Sequence, residues 1–303
     1  MADLSLELCG VKLKNPVIAA SGTFGFGREF DELYDISALG GISVKGLSLK
    51  PRTGNPPSRI AETPSGMLNS VGLQNPGVQS FIEHDLPWLL TKDIAVIANI
   101  TGTSVEEYVG MAEVLAPTGV HLLEMNISCP NVHEGGVAFG VKPESVYAIT
   151  KAVKAAAKQP LIVKLTPNVA DITENALAAQ EAGADAISMI NTLTGIAVDV
   201  HKRCMILRNN TGGLSGPAVR PVALRMVWQS AQKVSIPIIG MGGIETGEDA
   251  AAFMLCGAKA VMVGTANFTD PFACPRIVRE LDAYCDAQGV ASAQELVGTL
   301  KAY

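Results

Sequence analysis

The sequence predicts a (β/α)8 barrel, and three observations predict it. Eight short apolar runs recur along the 303 residues; they do not alternate, as strands buried on both faces should not. Helical patterns lie between most of these runs, which is the order that builds parallel strands. The three longest connections, at 46–80, 129–142 and 192–219, all follow a strand. They therefore crowd the C-terminal face, where barrel enzymes keep their chemistry. A doubly wound sheet uses the same units, but eight repeats without a break favour closure.

Taken in chain order, residues 4–8 alternate Leu with Ser5 and Glu7, turn at Gly10 and return through Val11 and Leu13. That pattern reads as an antiparallel hairpin, placed to plug the barrel bottom. The eight strands are read at 16–20, 41–45, 94–99, 122–126, 161–165, 186–190, 236–240 and 260–264. Thr103 and Glu106 have the spacing of a capping box. Pro143 opens a helix to Lys158 with Val146, Ile149 and Val153 on one face. Helices at 172–182 and 248–256 stop at Gly183 and Gly257. Ser292 and Glu295 are spaced to open a final helix. The connection 46–80 holds five of the 17 Pro residues, which stiffens it. No linker interrupts the pattern, so residues 1–303 read as one domain.

Composition limits the function classes. Apolar residues make up 48% and charged residues 17%, with mean hydropathy +0.28, which excludes a disordered chain. Net charge is −6 and pI is near 5.3, so there is no basic field for nucleic acid or an anionic membrane. No apolar run reaches the roughly 18 residues that span a bilayer, and the start carries no signal-peptide pattern; a cytoplasmic protein is expected. The six cysteines at 9, 129, 204, 256, 274 and 285 form no C-x-x-C pair, so no disulfide framework, metal site or iron–sulfur site is expected.

If the barrel closes, residues just past each strand face one pocket. Those residues are Ser21 and Gly22, Lys45, Asn99, Asn126, Lys164, and Asn191 with Thr192. The last two strands run instead into Gly240-Met241-Gly242-Gly243 and Gly264-Thr265. Such turns expose backbone N–H groups beside a helix N-terminus, the usual barrel arrangement for a phosphate, although glycines also serve tight turns alone. Lys45 and Lys164 fit surface lysines, a Schiff-base group or fixed positive charge, and the last fits a closed pocket best. A phosphate site with several Asn suits a flat heterocycle with amide edges, such as a flavin mononucleotide (FMN), better than a sugar.

Cys129 lies at the mouth of strand four, on a loop whose Gly135, Gly136 and Gly140 permit movement, and is the candidate reactive group. The other cysteines read as packing residues. His84, His121 and His201 are scattered, and His133, the histidine nearest Cys129, reads as a solvated residue of that loop. On residues alone a metal-free phosphosugar aldolase or isomerase using Lys164, or a barrel that only binds its ligand, remains open.

Four segments carry a resemblance: NSVGLQN at 69–75, NISCPN at 126–131, TGGLSGP at 211–217 and GMGGI at 240–244. In order and spacing they resemble the dihydroorotate dehydrogenases, FMN-dependent barrel enzymes of pyrimidine biosynthesis, over essentially the whole chain. The resemblance implies that dihydroorotate stacks on FMN, that C6 gives a hydride to flavin N5, and that Cys129 removes the C5 proton. It implies FMN contacts from Ser21, Lys45, Gly46, Asn99, Asn126, Lys164, Ile190, Gly216, Gly242, Gly243, Gly264 and Thr265. It implies substrate contacts from Lys45, Asn69, Ser70, Val71, Gly72, Leu73, Asn126, Asn131, Asn191 and Thr192. A membrane-bound class with an N-terminal extension and a serine base matches less well.

GTFGFG at 22–27, NSVGLQNPG at 69–77 and GGVAFG at 135–140 look more like the two-subunit, NAD-linked class than the fumarate-linked homodimer. That class implies a partner subunit carrying FAD and an iron–sulfur cluster, arranged as a heterotetramer around a homodimer of this chain. A related alternative keeps the flavin barrel and changes the substrate to another dihydropyrimidine.

Overall fold

The computed structural model describes residues 2–128, 139–301 and 303. Eight parallel strands close into a barrel: Val17–Ala19, Gly41–Ser43, Ala95–Ile100, Leu122–Asn126, Leu161–Lys164, Ala186–Met189, Ile238–Met241 and Ala260–Val263. Each pairs with its neighbour in sequence, and Val261 of the eighth sits opposite Val17 of the first. Apart from Asn126, every one of these strand residues is buried. That explains the missing alternation, since one face of each strand meets helices and the other meets the barrel interior.

The hairpin plugs the bottom as its sequence predicts. Leu6–Leu8 pairs antiparallel with Val11–Leu13. Cys9 and Gly10 make the turn with φ 51° and 83°, the paired left-handed geometry that suits a two-residue hairpin loop. Leu6, Leu8 and Leu13 pack against the inward side chains Ile18, Ile97, Leu122, Ile162, Ile239 and Met262. A second, larger core fills the space between the strands and the helices.

Several helix ends differ from expectation. The helix Val105–Leu115 is capped by Ser104, which accepts from the Glu107 amide, while Glu107 accepts from the Thr103 backbone N–H and hydroxyl. The cap therefore sits one residue beyond the Thr103/Glu106 pair. Pro143–Ala156 ends two residues short of Lys158. Ile172–Glu181 and Gly247–Leu255 end at Gly183 and Gly257 in left-handed conformations. In each, the next amide reaches back to the carbonyl five residues earlier, Ala184 to Ala179 and Ala258 to Phe253. Ser292 and Glu295 do form a capping box, but they open a single 3-10 turn, Ala293–Leu296, not a helix. The long C-terminal helix is Ala273–Gln288. No helix among the described residues is long and apolar enough to cross a membrane.

Two of the long connections are not loops. Ile60–Thr63 and Gly66–Asn69, after the second barrel strand, join Leu193–Ile196 and Thr211–Ser215, after the sixth, in one antiparallel sheet over the C-terminal face. Gly213 stands opposite Asn69. A Cβ on Gly213 would lie 2.0 Å from the Thr192 hydroxyl, so the sheet closes only on glycine there.

Candidate active site

The C-terminal mouth of the barrel opens into a cavity whose other wall is this small sheet. Of the residues singled out in the sequence, Ser21, Lys45, Gly46, Asn69, Ser70, Val71, Gly72, Leu73, Asn99, Asn126, Lys164, Ile190, Asn191, Thr192, Gly242, Gly243, Gly264 and Thr265 all line it. Gly216 is not among the lining residues, but it follows Ser215, which is, and its carbonyl would lie 2.7 Å from a Cβ on Gly243, so it packs directly against the turn after strand seven. Cys129, Asn131 and His133 lie outside the described residues. Ser128, the last described residue before them, lines the cavity.

The floor is polar and tightly bonded. Asn99 and Lys164 are buried there. Below them Glu124, fully buried, accepts hydrogen bonds from Ser43 Oγ at 2.6 Å, Asn99 Nδ2 at 2.6 Å and Ser188 Oγ at 2.7 Å. Burial alone would raise its carboxyl, but the charge of Lys164 and the three donors outweigh burial and hold it below the usual carboxylate range. The Asn99 amide oxygen is buried and has no partner among the described residues.

The side towards the small sheet is equally fixed. Asn126 Oδ1 accepts from Asn191 Nδ2 at 3.2 Å and from the Ser128 amide at 3.2 Å, and its carbonyl accepts from Tyr108 Oη at 2.6 Å. Asn191 Oδ1 in turn holds the Thr192 amide at 2.8 Å. Asn69 Nδ2 donates to the Gly213 carbonyl at 3.3 Å. The segment after Asn69 is clamped by Asn55, which donates to the Ser70 carbonyl and hydroxyl at 3.0 and 3.1 Å. Arg59 ties the same region together through the Thr53 and Asn55 carbonyls and the Gln74 amide oxygen. Burial, and then the nearby Arg59 charge, push the Lys45 ammonium below the ordinary lysine value.

At the opposite end, Gly242 and Gly243 have φ 129° and 76°, and their missing side chains leave room for Ala223 and for the Gly216 carbonyl. The amides of Gly243, Gly264 and Thr265 donate to no acceptor among the described residues. The expected helix N-terminus is not the anion site after strand seven. The first turn of Gly247–Leu255 is satisfied by Thr246 and Asp249, Gly247 donates to Glu280 at 2.8 Å, and Arg220 pairs with Asp249 at 2.7 Å. The free donors belong to the glycine turns themselves.

These features fit FMN: unbonded turn amides for a phosphate at one end, and at the other a lysine and an unpartnered amide oxygen for a polar ring edge. Sequence reasoning missed Glu124, Ser43, Ser188 and Arg59. Only Glu124 left a signal, an acid inside the apolar run Leu122-Leu123-Glu124-Met125.

Comparison with known proteins shows the family. The family profile described as dihydroorotate dehydrogenase matches residues 3–284. The chain is 54% identical over 299 residues to the protein named dihydroorotate dehydrogenase B (NAD(+)), catalytic subunit, of Geobacillus kaustophilus, covering 98% of this chain and 96% of that one. Proteins of the same name from Bacillus pumilus (55% identical; 97% and 96% covered) and Geobacter sulfurreducens (55%; 99% and 98%) are similarly related. By profile, by near full-length identity and by its closed barrel, the chain belongs to the dihydroorotate dehydrogenase family.

Proposed function

We propose that this chain is the catalytic subunit of an NAD-linked dihydroorotate dehydrogenase, a single cytoplasmic barrel domain over residues 1–303 that oxidises dihydroorotate to orotate in pyrimidine biosynthesis. The observation that carries the reading is one cavity lined both by Lys45, Asn69, Asn126 and Asn191 and by the glycine turns after the last two strands. Gly216, Gly242, Gly243, Gly264 and Thr265 lie at the phosphate end of FMN, while Ser21, Lys45, Gly46, Asn99, Asn126, Lys164 and Ile190 surround its ring. Lys45 meets the substrate carboxylate, and Asn69 with Ser70, Val71, Gly72 and Leu73, together with Asn126, Asn131, Asn191 and Thr192, orients the pyrimidine ring. Bound FMN supplies the acceptor for the hydride that leaves C6. Cys129 Sγ, as thiolate, takes the proton from C5, so that the C5–C6 double bond forms as both leave. Supporting this role, its covalent neighbour Ser128 lines the cavity.

Electrons then pass to a partner subunit with FAD and an iron–sulfur cluster, and from there to NAD. The relatives' designation as catalytic subunits supports a partner. A homodimer of this chain flanked by two partners completes the proposed heterotetramer. The test is an anaerobic visible spectrum of the purified chain, alone and with its partner, before and after dihydroorotate. A flavin spectrum that bleaches is expected. A bound flavin that dihydroorotate leaves oxidised in both preparations overturns the substrate, and a colourless chain that takes up no FMN overturns the cofactor.

A further inference from the structure

Among the described residues only two side chains of the Asp, Glu, Lys and Arg types are buried, Glu124 and Lys164. Lys164 lines the cavity and Glu124 lies beneath it, out of reach of any ligand. An isolated carboxylate inside a barrel costs stability, and apolar side chains fill the neighbouring inward positions such as Ile97 and Ile162. The fold therefore has no need of an acid there. What the acid does is visible in its contacts: it takes the Nδ2 end of Asn99, leaving the amide oxygen buried and unpartnered beside Gly46. Its charge is opposed by that of Lys164, which stands two residues past Ile162, the strand partner of Glu124, on the same face.

We propose that Glu124 is a positioning residue for the flavin reaction, fixing the Asn99 amide in the floor and balancing Lys164, so that bound FMN sits over a cation whose charge is compensated and not over a lone one. The proposal rests on the reading that this cavity holds FMN. Reduction adds negative charge to a flavin, and a nearby cation stabilises it. Removing the balancing carboxylate leaves Lys164 uncompensated, so the reduced cofactor gains affinity relative to the oxidised one.

The test is Glu124→Gln, reconstituted with FMN and equilibrated anaerobically against a dye of known potential. The expected result is a preference for reduced over oxidised FMN about tenfold greater than in the wild type, equal to a positive shift of about 30 mV for two electrons. Adding Lys164→Gln should abolish the effect of the Glu124 change, because the lone cation is gone. If the amide is not accommodated, Glu124→Met, of similar volume and no charge, should shift the potential in the same direction. An unchanged potential, with only occupancy or melting temperature altered, overturns the proposal and leaves Glu124 a structural residue. A wild-type chain that takes up no FMN fails earlier and differently, and removes the cofactor reading itself.

Discussion

Asn99 donates its Nδ2 to Glu124 at 2.6 Å, and this contact fixes the amide with its oxygen buried beside Gly46 of the cavity wall. Asn99→Leu removes both the donor to Glu124 and the unpartnered amide oxygen. A charged group that loses a buried hydrogen bond costs about 1.5–3 kcal/mol. The variant is expected to melt earlier and to hold FMN at least several-fold less tightly, measured by flavin fluorescence on dilution. Asn99→Asp should do worse, since it sets a second carboxylate against Glu124. Retention of wild-type affinity by both variants would remove Asn99 from the ring site.

Cys129→Ala should keep its flavin, because the phosphate turns and the floor network among the described residues are built from other side chains and backbone groups. Its reduction by dihydroorotate should slow by about 10²–10⁴, the worth of a positioned base. Cys129→Ser should recover some activity at higher pH, since a hydroxyl is the weaker base. Stopped-flow reduction of the anaerobic enzyme separates these outcomes, and unchanged kinetics in the alanine variant would assign the proton to another group.

The barrel strands were legible because burial on both faces removes alternation, a signal that each strand carries within itself. The cavity lining followed, because residues after barrel strands converge whatever the loops do. The small sheet was not legible. Gly212 and Gly213 give Thr211–Ser215 no strand propensity, and its pairing with Gly66–Asn69 joins segments far apart in sequence. Arg59 was missed for the same reason, since its influence on Lys45 exists only once that sheet and its neighbouring loop fold. The cap at Ser104 shows how local signals slip by one residue where Thr103 and Ser104 compete for one role.

The plug makes a prediction about stability that is separate from chemistry. Leu8 is fully buried against the inward barrel side chains, at the end remote from the cavity. Leu8→Ala should cost about 2–5 kcal/mol, through lost burial and the void left behind. Denaturant unfolding measures that loss, while FMN affinity and the KM for dihydroorotate in the folded fraction should stay at wild-type values. A parallel loss of FMN would mean that the plug shapes the mouth as well as the base.

His121 gives the fold a pH dependence. Its Nδ1 accepts the Val96 amide at 3.0 Å, which requires the neutral ring, and burial lowers its tendency to protonate below the ordinary value of 6.5. A group whose folded value is depressed contributes stability fully above its unfolded value and loses it as pH falls through the folded one. The melting temperature should therefore decline below about pH 6.5. His121→Gln should start lower and decline less steeply over the same range, and an identical slope in both proteins would place the dependence elsewhere.

Lys45 should govern the alkaline side of ligand binding. Burial and the Arg59 charge both disfavour its ammonium, so it gives up its proton at lower pH than the ordinary lysine value of 10.5. Raising the pH then removes the charge proposed to meet the substrate carboxylate, and orotate should bind progressively more weakly on that side. Arg59→Gln removes one of the two causes, so its fall in affinity should begin at higher pH even though the cavity has lost a positive charge. Lys45→Met should weaken orotate by about 10–100-fold, the worth of a charged hydrogen bond of 1.5–3 kcal/mol, and abolish the pH dependence. Uracil, which lacks the carboxylate, should bind the wild type and Lys45→Met alike. Equal wild-type affinity for orotate and uracil in the titration would show that Lys45 reads no carboxylate, and would turn the cavity towards a different dihydropyrimidine.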